Sequence, residues 1–354
     1  MEEIYDQKIP EYFAAANSYQ GFISYFDKVF PSSDFERIYV LKGGPGTGKS
    51  SFMKKVAEVF YARKYGVEKI LCSSDPSSLD GVIICSKNKK IAIIDGTAPH
   101  ERDAIIPGAI DEIINLGQGW NSGWLAGKKE AIISIGLQKA KCYKTAYNYL
   151  SISGRANEYI KFIYKSNFDK YKAKVKAECI LQEISPTENG TKSTRLVSSF
   201  GRYGERRLNT LGKLSSRNVR ISGDDLCAKL FLCCCTRILE DKNINFLHLP
   251  SALDPTETDG IYLHDHNLTL THEKDGEIDV SELFNLSLVD MDQVKKAKEI
   301  NEEALNEAQR WFAIASDMHF RLESIYGEAM NFEANESLLS EKISEISNIL
   351  ENER

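Results

Sequence analysis

The chain has no apolar run approaching the length of a membrane span, so no transmembrane helix is expected to organise it. Its first residues, Met1-Glu2-Glu3-Ile4-Tyr5-Asp6, lack the basic start and apolar core of a signal peptide, and a cytoplasmic location is expected. No C-x-x-C pair occurs among the eight cysteines, and Cys233-Cys234-Cys235 are consecutive inside an apolar, helix-like stretch. Reduced, mostly buried thiols are expected rather than a disulfide framework. A net charge of -6 provides no basic excess, so nucleic acid is not expected as the main partner. What is present is an ordinary globular composition, 42% hydrophobic and 27% charged. At roughly 150 residues per domain, the length suggests two domains.

One stretch organises the reading. Ile38 to Leu41 is a short apolar run, read as a buried parallel strand. Gly43-Gly44-Pro45-Gly46-Thr47-Gly48-Lys49-Ser50-Ser51 follows and fits G-x-x-x-x-G-K-[ST], the phosphate-binding pattern. Phe52, Met53, Val56, Val59 and Phe60 then recur at helical spacing. A loop between a strand and a helix turns backbone N–H groups toward an anion, and the helix dipole adds positive potential there. Glycines permit the backbone angles and the close approach this needs. Lys49 is the candidate to reach the β- and γ-phosphates, and the Ser50 hydroxyl the candidate Mg²⁺ ligand.

Glu68 to Asp75 reads as a second strand, Asp75-Pro76-Ser77-Ser78-Leu79-Asp80-Gly81 as a loop, and Val82-Ile83-Ile84 as a short strand. Ile91-Ala92-Ile93-Ile94-Asp95 is an apolar strand ending in a carboxylate, the usual place for a metal-binding aspartate beside such a loop. Asp95 is the first choice, with Asp75 and Asp80 as rivals; an aspartate here also serves as a turn or helix cap. Thr97, His100 and Arg102 follow at the same sheet edge. They are candidates to sense the γ-phosphate, to orient water or substrate, and to neutralise phosphate charge, respectively.

From Lys128 the pattern is helical, with Gly154 expected to break it. A second helix is expected to carry Ile160, Tyr164, Phe168, Tyr171, Val175 and Cys179 on one stripe, with Lys161, Lys165, Lys172 and Lys176 on a solvated face. The two are expected to form an antiparallel hairpin on an α/β core, a surface for a possible protein partner. Residues 185–194 read as an interdomain linker.

The second half repeats the first. Gly223 to Leu230 aligns without a gap with Gly43 to Ser50, placing Lys229 opposite Lys49. Asp254-Pro255-Thr256-Glu257-Thr258-Asp259-Gly260 matches Asp75 to Gly81, and Asn245 to Leu249 stands opposite Lys69 to Ser73. Ala228 replaces Gly48, Leu230 replaces Ser50, and Asp224 and Asp225 bring negative charge where a triphosphate would lie. A degenerate copy that binds no Mg-nucleotide is expected. Arg217, Arg220 and Arg237 are candidates to reach across to the first loop. His264, His266 and His272 lack ligand partners at zinc spacing and are read as surface or strand histidines. Helical patterns from Val294 to Ala329 and from Leu339 to Leu350 end the chain as another hairpin.

The fold expected is α/β: two tandem three-layer domains with mostly parallel sheets, each with a helical hairpin, spanning residues 1–184 and 195–354. The combination of the glycine-rich loop with Cys72-Ser73-Ser74-Asp75-Pro76 and Ile94-Asp95-Gly96-Thr97-Ala98-Pro99-His100 resembles a bacterial family of tandem-domain P-loop ATPases and nucleotide kinases. The resemblance covers nearly the whole chain and implies ATP and Mg²⁺ at the first loop, with departures at Asp224, Asp225, Ala228 and Leu230. Three functions stay open: an ATP hydrolase acting as a switch, a kinase for a nucleotide or small molecule, and a nucleotide-binding scaffold. No Asn-Lys-x-Asp guanine-reading motif occurs, which favours ATP over GTP.

Overall fold

The computed structural model describes residues 9–187 and 190–352; Met1 to Asp6 and two residues of the expected linker, Glu188 and Asn189, lie outside them. The first half runs β1 (Glu11–Phe13), β2 (Ala15–Ser18), β3 (Gly21–Ser24), α1 (Phe26–Val29), β4 (Arg37–Lys42), α2 (Lys49–Ala62), β5 (Gly66–Leu71), β6 (Leu79–Cys85), β7 (Lys90–Asp95), β8 (Asp111–Asn115), α3 (Ser122–Ala126), α4 (Lys129–Ser166) and α5 (Lys170–Ile180). The second half runs β9 (Lys192–Thr194), β10 (Ser198–Gly201), β11 (Gly204–Arg207), α6 (Leu211–Leu214), β12 (Arg217–Ser222), α7 (Asp225–Asp241), β13 (Phe246–Pro250), β14 (Thr258–Leu263), β15 (Leu268–His272), β16 (Ile278–Asp279), α8 (Met291–Glu328) and α9 (Glu333–Glu351).

The two halves share one topology. The first sheet has the order β1-β5-β6-β7-β4-β8 and the second β9-β13-β14-β15-β12-β16. In each, the third strand pairs antiparallel with both neighbours and the other pairings are parallel. Both carry an irregularity at the same place, between Ile70 and Leu71 and between Leu249 and Pro250. Gly81 faces Ile70 as Gly260 faces Leu249, so the register agrees with the Asp-Pro alignment. It also corrects the alignment of β13: Leu249 stands opposite Ile70, three residues from the match expected on sequence. Asp80 and Gly81 belong to β6 rather than to a loop.

Each sheet buries an apolar face against a helix. In β4, Tyr39 and Leu41 pack with Phe52, Met53, Val56 and Phe60 of α2, while Ile38 and Val40 face the other way, the two-residue alternation of a strand. That second face meets α1 and also Leu211, Leu247 and Leu249 of the second half. The other side of the first sheet is therefore closed partly by the duplicate rather than by a full helical layer of its own.

The long helices depart from the expected hairpins. Gly154 lies inside α4, which runs unbroken for 38 residues. A Cβ there would lie 2.7 Å from the Tyr19 side chain, so this glycine serves close packing. Helix α4 extends about 57 Å and the 11-residue α5 about 17 Å, too short to cover it. Its partner is the equally long α8, running antiparallel. Tyr143 and Tyr147 meet Phe312, Asn301 donates to the Ser153 carbonyl, and Tyr159 meets Gln293. Ala146, Ala304, Ala308 and Ala315 keep the pair close.

The crossed pair exchanges the last helix of each half. Ala173 and Ala177 of α5 join the core around α7, and Leu339, Ile346 and Leu350 of α9 join the core around α2. The two cores therefore do not divide at residue 184, and the end of the expected linker is the edge strand β9. Lys161 is not on a solvated face: it is 7% exposed and pairs with Asp254 at 2.7 Å and Glu257 at 3.3 Å. Among the described residues no helix is long and apolar enough to cross a membrane.

Candidate functional site

The strand β4 ends at Lys42 and α2 begins at Lys49, leaving Gly43 to Gly48 as the connecting loop. Gly48 precedes the helix with φ of +87°, and Gly46 has φ of +72°, conformations that side chains other than glycine resist. At Gly46 the need is also steric, because a Cβ would lie 2.6 Å from the backbone oxygen of Glu323 in α8. The first N–H groups of a helix have no acceptor within it, so the start of α2 presents donors to the loop.

Above the loop opens a cleft of about 600 Å³. Gly43 to Ser51 form its floor; Asp75, Asp80, Asp95, Thr97 and His100 form one wall; and Lys139, Tyr143, His319, Phe320 and Glu323 of the crossed helices form the other. The Lys49 ammonium donates to the carbonyls of Gly43 at 2.9 Å and Gly44 at 3.0 Å and lies 3.7 Å from Asp95. The Ser50 hydroxyl oxygen accepts the Leu79 N–H at 3.0 Å. Asp95 accepts the N–H and hydroxyl of Thr97 on one oxygen, at 2.9 and 2.6 Å, and turns the other toward Lys49.

The rival aspartates have other partners. Asp75 accepts the N–H and hydroxyl of Ser77, a side-chain turn. Asp80 sits 3.4 Å from the ring of His100, which stacks on Phe26. Burial acts to lower the His100 pKa, but the nearby Asp80 and Asp95 carboxylates outweigh it and raise the pKa above 6.5. The ring therefore carries charge more readily than a free histidine. Arg102 does not reach the cleft. Its guanidinium donates to the Phe30 carbonyl at 2.6 Å and the Ser32 hydroxyl at 3.1 Å, and lies 3.6 Å from buried Asp111, a strut under the sheet edge.

The far wall has no signal in the sequence, because Lys139 lies ninety residues from Lys49 and Glu323 far beyond it, and only the α4–α8 crossing brings them in. Burial lowers the Lys139 pKa, partly offset by Glu323. His319 lies 3.4 Å from Glu323. The arginines expected to reach across do not line this cleft: Arg217 pairs with Glu183 and Arg220 with Glu277, both at the exposed side of the second half.

The glycine-rich loop has no counterpart in the second half, where a cleft of about 520 Å³ is lined instead by Gly154, Glu158, Lys161, Asp254 and Thr256. Only Gly223 and Asp224 separate β12 from α7, so no loop forms, and Lys229 lies one turn inside the helix rather than at its start. The gapless match of Lys229 with Lys49 is thereby corrected: in sequence it aligned two lysines that the helix boundary separates. The Asp224 carboxylate accepts the Leu226 N–H at 3.1 Å and holds Lys298 at 2.7 Å, so the helix N-terminus already carries the chain's own anion. Lys229 lies 2.9 Å from Asp225, 3.4 Å from Glu257 and 3.7 Å from Asp259. Lys161 of α4, at the helix position that Glu323 holds in α8, shares Glu257 with Lys229 and also holds Asp254. His272 pairs with Asp225 at 3.0 Å, and His264 is exposed. No family model, curated protein or solved structure matches this chain.

Proposed function

We propose that the chain is a Mg²⁺-dependent ATP-binding protein, an ATP hydrolase of the P-loop type acting as a switch through its first half. The observation that carries this reading is the convergence of Lys49, Ser50 and Asp95 on one cleft over a glycine-rich loop at a helix start. In that setting Lys49 would neutralise the β- and γ-phosphates, and Ser50 and Asp95 would be the residues to hold the metal, which would supply further positive charge there. The cleft sets the bases Lys49, Lys139 and His100 beside the acids Asp75, Asp80, Asp95 and Glu323. Side chains alone leave a triphosphate incompletely neutralised, which is the physical case for Mg²⁺. A phosphotransferase is the second reading, favoured by the Asp80–His100 pair on the cleft wall, where an acceptor hydroxyl has both a carboxylate to take its proton and a cation beside it.

Titration calorimetry with Mg-ATP and a non-hydrolysable analogue tests the reading. One site per chain is expected, lost in a folded Lys49→Ala variant. Near-normal affinity in that variant rejects the assignment, and a second site lost on Lys229→Ala rejects the degenerate reading of the second half. Phosphate release with and without acceptors separates hydrolase from kinase.

A further inference from the structure

Helix α9 runs beside α2 in the same direction. The ring of Phe332 lies 3.6 Å from where a Gly48 Cβ would stand, Lys55 pairs with Glu336, and Arg63 donates to the Ser347 hydroxyl at 2.6 Å. These three contacts step along both helices together. Ser51 and Lys55 share a face of α2 at i,i+4 spacing, so Ser51 is level with the turn that opens α9. The turn is tied to the loop: Asn335 donates to the Thr47 carbonyl at 3.0 Å, and Asn331 donates its N–H to Gly119 at 2.9 Å. Phe332 lines the cleft from this fixed turn and is 45% exposed.

We infer that Phe332 is the stacking platform for the nucleobase, a binding residue supplied by the second half of the chain. The inference rests on the nucleotide reading above. With Lys49 and Asp95 at one end of the loop marking the terminal phosphate, the phosphate chain runs over Gly46 and Gly48 toward Ser51. The group beyond it emerges beside Phe332. A flat aromatic face held on a rigid turn costs little ordering on binding and accepts any base, because every base presents a π-face. The degenerate half thereby contributes one contact to the nucleotide bound by the first half.

Calorimetric titration of the wild-type chain, Phe332→Ala and Phe332→Trp with Mg-ATP and with Mg-tripolyphosphate tests this. Phe332→Ala is expected to weaken ATP about tenfold, the loss of one base–aromatic stack, and to leave tripolyphosphate unchanged. Phe332→Trp is expected to retain ATP affinity. Unchanged ATP affinity in Phe332→Ala overturns the inference while tripolyphosphate binding preserves the loop reading. Equal loss of both ligands also overturns it, since the ring then only supports the loop. A wild-type chain that binds neither ligand overturns the loop reading itself.

Discussion

Lys49 and Lys229 were aligned by sequence, and their surroundings predict opposite phenotypes. Lys229 is 12% exposed at its side chain, against 6% for Glu257 and 0% for Asp259. Burial acts to lower its pKa, and the carboxylates of Asp259, Asp225 and Glu257 together raise it instead. Lys229→Met keeps the volume and helix propensity while deleting the charge. Removing one partner of a buried ion pair costs about 3–5 kcal/mol, because the other charge is left uncompensated. Here some compensation survives: Lys161 stays 3.3 Å from Glu257, and Arg207 stays 3.2 Å from Asp259. The expected loss is therefore at the lower end, about 3 kcal/mol. Urea unfolding followed by circular dichroism measures it as a lowered midpoint at unchanged slope. Asp259→Asn in the Lys229→Met background should recover part of the loss, since one fewer buried carboxylate then faces the position the lysine charge has left. A Lys229→Met chain within about 0.5 kcal/mol of wild type, the range of a neutral surface substitution, refutes the reasoning. So does one that folds normally but no longer binds nucleotide.

Two further outcomes are expected. Asp95→Asn removes charge but little shape, so it should retain part of the ATP affinity and lose Mg²⁺-dependent turnover; if Asp80→Asn has that phenotype and Asp95→Asn is silent, the metal assignment moves to Asp80. His100 has a folded pKa raised above its ordinary 6.5, so its stabilising contribution is complete below 6.5 and is lost as pH rises through the folded value. Wild type should lose stability across that window relative to His100→Phe in urea titrations at a series of pH values, and parallel curves for the two chains would falsify the charged pairing with Asp80.

The sequence by itself determined the local chemistry and the duplication. Strand, glycine-rich loop and amphipathic helix are encoded within Ile38 to Phe60, where backbone freedom and periodicity act over a few residues. The Asp-Pro repeat was legible for the same reason: Ser77 on Asp75 and Thr256 on Asp254 make the same side-chain turn from adjacent residues. Only the tertiary structure decided which helices pair. The apolar stripes of α4 and α8 have the same length, and matching that length required a partner from the other half rather than the neighbour in sequence. It also decided the fate of three basic residues that the sequence had placed elsewhere. Arg102 and Lys161 were drawn under the sheet edge and into a nest of acids, and Lys229 was displaced from its expected position by a helix that starts early. Burial and charge pairing across long sequence separations set those outcomes, and neither leaves a periodic trace in the chain.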